Sequence, residues 1–164
     1  MAHLLISGRP GAGKTEFACW LVACRGFASV EVDTQWAEWG PHLCITTPAD
    51  ALATRQRAER LGPNVVAEWG FAVEQLPCVG LLRDAGFDAW WFDGDESAAR
   101  VGYVRRHGDQ PASLAAYEHQ VNDIARASDA LRAFYGDRIV RTVTDGPTFL
   151  SPETIAARVL GEVR

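Results

Sequence analysis

The chain has 164 residues, 48% of them apolar and 23% charged, and a formal net charge of -5 at neutral pH. That length supports one core-bearing domain spanning residues 1–164 and leaves no room for a second. The acidic balance argues against a general polyanion-binding surface, and no apolar run is long enough for a membrane span or a signal peptide, so a soluble, cytoplasmic protein is expected.

Short apolar runs alternate with helical patterns along the whole chain, the signature of a parallel sheet wrapped by helices. Strands are predicted at 3–7, 29–33, 64–69, 87–92 and 138–144. Helices are predicted at 14–24, 48–61, 74–85, 96–107, 112–135 and 152–163. The run "HLCIT" at 42–46 reads either as a sixth strand or as buried loop. In the long helix, Leu114, Tyr117, Val121, Ile124, Leu131 and Phe134 recur mostly at three- and four-residue steps and so predict one buried stripe. Ser151 followed by Pro152 is a helix start signal. Trp90 and Trp91 belong to the fourth strand and are expected in the core. Cys19, Cys24, Cys44 and Cys78 form no Cys-x-x-Cys pair and sit in apolar contexts, which predicts reduced core residues.

One motif carries chemistry. "HLLISGRPGAGKT" places Gly8-x4-Gly13-Lys14-Thr15 between an apolar strand and a helix, the context of a phosphate-binding loop. The segment Gly8, Arg9, Pro10, Gly11, Ala12, Gly13, Lys14 and Thr15 would turn backbone N–H groups inward around a β-phosphate, with the helix N-terminus adding its positive end. Lys14, the only lysine among the 16 basic residues, would reach the β- and γ-phosphates, and Thr15 would put its hydroxyl on magnesium. No Asn-Lys-x-Asp motif follows, which argues against a GTPase. An AAA+ module would need a longer chain.

The form "GRPGAGKT", with the strand and helix around it, resembles the small P-loop kinases, in particular the polynucleotide 5′-hydroxyl kinases and the related adenylate-kinase-like nucleoside and nucleotide kinases. The resemblance implies an α/β three-layer sandwich with a five-stranded parallel sheet in the order 2-3-1-4-5 and a small helical lid near residues 100–120. It also implies Mg-ATP as phosphoryl donor and a hydroxyl or phosphate acceptor: a nucleotide, a nucleic-acid hydroxyl or a small metabolite. The oligomeric state is not legible.

Further roles follow only from that resemblance. Glu68, closing "NVVAE", takes the magnesium-side position on the third strand, the alternative being a strand-end acid paired with an arginine. Asp93 in "WWFDGD" ends the fourth strand, where it serves either the phosphate loop or as a cap for the helix starting at Asp95 or Glu96. Asp33 in "GFASVEVDTQW" falls where these kinases keep the base for the acceptor hydroxyl, against a turn-forming role ahead of Thr34. The relatives often carry two acids, or "DGD", after this second strand, whereas here "DGD" follows the fourth. In "ESAARVGYVRRHGDQP", Arg100 and Arg105 are expected to face the transferring phosphoryl group, or else to lie on a solvated helix face. At roughly 100° per residue, Arg105 and Arg106 point about 140° and 120° to opposite sides of Arg100, so the three cannot all converge. His107 reads as a helix C-terminal residue. Trp36 and Trp39 would either stack on a base or close a core. Gly146 and Pro147 are weak candidates for contacts to adenine. A rival reading is a regulatory or assembly ATPase with no phosphoryl acceptor, in which water attacks and Asp33 is not required.

Overall fold

The structure is a computed structural model and describes residues 1–35, 45–70, 73–143 and 148–161. Five strands, β1 (Ala2–Gly8), β2 (Ala28–Glu31), β3 (Asn64–Glu68), β4 (Asp88–Gly94) and β5 (Ile139–Val143), form one parallel sheet in the order β2-β3-β1-β4-β5. Seven helices are described: α1 (Lys14–Arg25), α2 (Pro48–Leu61), α3 (Leu76–Asp84), α4 (Glu96–His107), α5 (Pro111–Arg126), α6 (Ser128–Tyr135) and α7 (Pro152–Val159). None of the described helices is long and apolar enough to cross a membrane. The chain divides into two compact units, Met1–Ser7 with Ala18–Ala89 and Gly8–Phe17 with Trp90–Arg164.

In the first unit β1 pairs with β3 from Ala2↔Asn64 to Ile6↔Glu68, and β3 pairs with β2 from Ala28↔Val65 to Glu31↔Glu68. Leu4, Leu5, Ile6, Val65 and Val66 are buried, as the uninterrupted apolar runs of a central parallel strand require. α2 begins with a reciprocal capping box. The Thr47 side chain accepts from the Asp50 amide, the Asp50 carboxylate accepts from the Thr47 amide, and Pro48 fills the first turn; two orphan amide donors are thereby satisfied.

In the second unit β4 and β5 pair from Trp91↔Ile139 to Gly94↔Val143. Trp90 and Trp91 are buried, as expected, with the Trp91 ring 5.6 Å from that of Tyr135. Ser151 caps α7 through the Thr154 amide.

Several boundaries differ from the sequence expectation. β2 stops at Glu31 because its carbonyl accepts from the Thr34 and Gln35 amides, which bends the chain and leaves Asp33 in a turn rather than in the strand. The single helix expected at 112–135 is two, interrupted at Ala127 (φ -98, ψ 11). The break changes the phase of the buried stripe, so Tyr135 is buried where Phe134 was expected, along with Tyr117, Val121 and Leu131. The helix expected at 74–85 opens with a 3-10 turn, Val73–Gln75, before α3. Cys19 and Cys24 are free thiols but exposed, a correction to their expected place in the core, because Phe17, Ala18 and Leu21 form the buried face of α1. Cys78 is free and half-buried. Cys44, Trp36, Trp39, Gly146, Pro147 and residues 42–44 of the possible sixth strand lie outside the described residues.

His3 lies inside β1, 3% exposed, and neither ring nitrogen has a well-formed hydrogen bond to a described residue. Its ring lies 5.9 Å from that of Phe87. Burial lowers its pKa below 6.5 and the Arg55 charge adds to this, outweighing the opposing pull of Glu59 and the Gly62 backbone. The unfolded chain therefore takes up a proton below about pH 6.5 that the folded chain resists. Stability should fall as pH drops from 7 to 5 in urea unfolding, and His3→Leu should flatten that limb. An unchanged slope in the variant would assign the acid sensitivity to other groups.

Candidate phosphate-binding site

The loop between β1 and α1 is shaped by backbone conformation first. Gly8 has φ +142 and Gly11 has φ +78, a region that side chains disfavour. At both positions a Cβ would also overlap neighbouring backbone: the Phe92 carbonyl at Gly8 and the Ala99 carbonyl at Gly11. Those glycines let the loop lie directly against the end of β4 and against α4. The Arg9 amide donates to the Phe92 carbonyl (2.9 Å), and the Ala12 amide closes the turn onto the Arg9 carbonyl (3.2 Å). Thr142 on β5 is fully buried and its hydroxyl lies 2.6 Å from the Ala12 carbonyl and 3.1 Å from the Asp93 carbonyl. Its one proton is shared between two acceptors, so Thr142 joins the loop to both strands of this unit.

The charged groups are arranged around that backbone. The Lys14 ammonium donates to the Gly8 and Arg9 carbonyls (3.2 and 3.1 Å). Arg9 turns its guanidinium to Asp93 (3.0 Å) and Glu96 (3.3 Å). Asp93 and Glu96 thus both engage the loop between β1 and α1, and both do so through its arginine. Asp93 does not cap α4: Asp95 is the N-cap, accepting from the Ala98 amide at 2.9 Å.

α4 supplies a second arginine contact. Arg106 donates to the Thr15 hydroxyl at 2.6 Å. Arg100 and Arg105 are exposed and make no hydrogen bond or ion pair with a described residue. Sequence reasoning did not single out Arg106, because helical geometry shows only that Arg100, Arg105 and Arg106 diverge and not which one faces the loop. His107, the last residue of α4, has its ring 4.5 Å from that of Tyr103. Phe149 was also not anticipated. Its ring packs against Gly13 and comes near Gly102 while staying 38% exposed.

In the first unit, Glu68 ends β3 and is 8% exposed; its carbonyl accepts from Val32, and the next residue, Trp69, donates to Ile6. Asp33 is exposed in the turn after β2, and its carboxylate accepts from the Gly70 amide at 2.9 Å. The loops that follow β2 and β3 are joined by that bond. Nothing in the sequence spacing of Asp33 and Gly70 announces it.

No protein-family model matches the chain, and no curated protein matches it. Solved structures do. A gluconokinase from Sinorhizobium meliloti 1021 superposes with a TM-score of 0.57 at 17% identity over 98% of this chain and 90% of that one. A shikimate kinase from Acinetobacter baumannii, in complex with shikimate, gives 0.55 at 14% identity over 100% and 96%. Neither is a polynucleotide kinase. These likenesses establish that the chain has the α/β fold found in small P-loop kinases.

The Thr142 contacts generate a prediction. Thr142→Val keeps the shape but leaves the Ala12 carbonyl without its buried donor, which should cost about 1–3 kcal/mol of stability. Thr142→Ser should stay close to wild type. Urea unfolding checks both, and a valine variant as stable as wild type would remove Thr142 as an anchor of the loop.

Proposed function

We propose that the chain is a P-loop kinase transferring the γ-phosphoryl group of Mg-ATP to a hydroxyl of a small metabolite. The observation that carries this reading is the phosphate loop itself: a strand-loop-helix passage with glycines in the required conformations, a lysine and a threonine at its end, and an arginine of α4 on that threonine. The names of the two structural neighbours, kinases of gluconate and shikimate, favour a small acceptor over a polynucleotide. The acidic net charge of -5 favours it too, since polyanion affinity is carried largely by basic contacts.

In this reading the amides of Gly8 to Thr15 hold the β-phosphate, and Lys14 leaves its carbonyl partners to follow the γ-phosphoryl group. Thr15 is assigned to magnesium from the loop motif and Glu68 from the family resemblance, a hydroxyl and a carboxylate being hard oxygen donors that suit the ion. Magnesium would neutralise charge on the phosphates. Arg106 is the arginine we assign to the transferring group. Arg100 and Arg105, the candidates from sequence, are exposed on the same helix and stay proposed for charge on the transferring group. Asp33 accepts the acceptor's hydroxyl proton as the new O–P bond forms and the bond to ADP breaks. Its hydrogen bond from Gly70 fixes the direction of the carboxylate.

The test is a screen for label transfer from γ-labelled ATP to sugar acids, hydroxylated cyclic acids, sugars, nucleosides and 5′-hydroxyl oligonucleotides. A small hydroxylated acceptor should take up label, and Asp33→Asn should reduce that transfer by about 10²–10⁴-fold, the usual worth of a positioned base, while ATP binding persists. Transfer at full rate in the variant would remove Asp33 from the mechanism. If only water receives phosphate, the acceptor-free ATPase is the better account.

A further inference from the structure

Residue 9 occupies a variable position of the phosphate loop, yet more of the loop's contacts converge on it than on any neighbour described above. Its amide is bound to β4 through Phe92, and its carbonyl receives both the Ala12 amide and the Lys14 ammonium. Its side chain, only 13% exposed, reaches Asp93 through Nε and Glu96 through Nη1. Glu96 is the first residue of α4, and its own carbonyl accepts from the buried Tyr117 hydroxyl of α5 at 3.2 Å. One guanidinium therefore joins the loop, the end of β4 and the first turn of α4.

Resting on the nucleotide-binding reading above, we propose that Arg9 is a positioning residue. Its side chain does not touch the phosphates. It holds the loop in its phosphate-ready shape and keeps α4 in register over it. The geometry requires arginine, because a planar fork with several donors can serve two carboxylates at once, whereas an ammonium is a single point charge. The pairing also offsets part of the negative charge of Asp93 and Glu96, which would otherwise repel incoming nucleotide. Asp93 then acts for the phosphate loop by orienting Arg9. At the other end of α4, Arg106 holds Thr15. The clamp thus sets the origin from which the helix presents that second arginine.

The test is calorimetric titration of Mg-ADP into the wild-type chain, Arg9→Ala, Asp93→Asn and the double variant, with melting temperatures measured in parallel. Each single change should weaken Mg-ADP about tenfold, the scale of one charge-assisted hydrogen bond. The double variant should be no weaker than either single one, because both remove the same clamp. Arg9→Lys should recover only part of the loss. Losses that multiply in the double variant would overturn the proposal. So would a lower melting temperature with unchanged Mg-ADP affinity, which would make the pair structural only. If Arg9→Ala does not fold, Glu96→Gln at the 64% exposed arm decides instead: weakening of about two- to threefold supports the clamp, and wild-type affinity overturns it. A wild-type chain that binds no Mg-ADP would sink the nucleotide reading and this proposal with it, whereas normal wild-type binding beside an unaffected Arg9→Ala sinks the clamp alone.

Discussion

Everything proposed for this protein depends on one constraint, the approach of backbone to backbone around the phosphate loop. For amides to converge on a phosphate, the chain must turn tightly at the end of β1 and re-enter a helix within a few residues. The loop leaves no space for a Cβ at Gly8, where β4 passes, or at Gly11, where α4 passes. Because contact is made by main chain, the loop, β4 and α4 cannot be adjusted separately. Thr142 fastens the same loop to β5. In the proposed function, amides held in place by these contacts need little reordering when phosphate binds, which lowers the ordering cost.

The same backbone arrangement governs the electrostatics. Lys14 and Arg9 lie within the same short loop but point to different partners, the lysine to loop carbonyls and the arginine to Asp93 and Glu96. Carbonyl oxygens release an ammonium readily when a phosphate offers full negative charge. A guanidinium held by two carboxylates is far less free to move. In the proposed function the two cations divide the work: one is available to the nucleotide and the other is fixed to the scaffold.

The five strands and the strand-loop-helix passage at Gly8 to Thr15 are legible in the sequence, because apolar runs and glycine spacing report local structure directly. The sheet order, by contrast, follows only from the resemblance to the small P-loop kinases. The end of β2 is less legible than the strands themselves: the Glu31 carbonyl captures two following amides, a choice between strand and turn that nearly equal local energies leave open. The break at Ala127 has no glycine or proline to announce it, and a periodic stripe counted through it puts Phe134 where Tyr135 belongs. The partners of the site acids were illegible for a different reason. Arg9 with Asp93, Arg106 with Thr15 and Asp33 with Gly70 are pairs far apart in sequence, and composition or periodicity carries no information about such contacts.

The central claim, that Gly8 to Thr15 cradle nucleotide phosphates with Lys14 at their head, can be tested by exploiting a peculiarity of composition. Lys14 is the only lysine in the sequence, so an amine-specific reagent has one side-chain target besides the N-terminus. Peptide mass spectrometry of the labelled protein would follow its modification with and without Mg-ATP. The account predicts that Mg-ATP slows labelling at Lys14 while the N-terminal amine reacts at an unchanged rate. Equal labelling of Lys14 in the presence and absence of saturating Mg-ATP would contradict it.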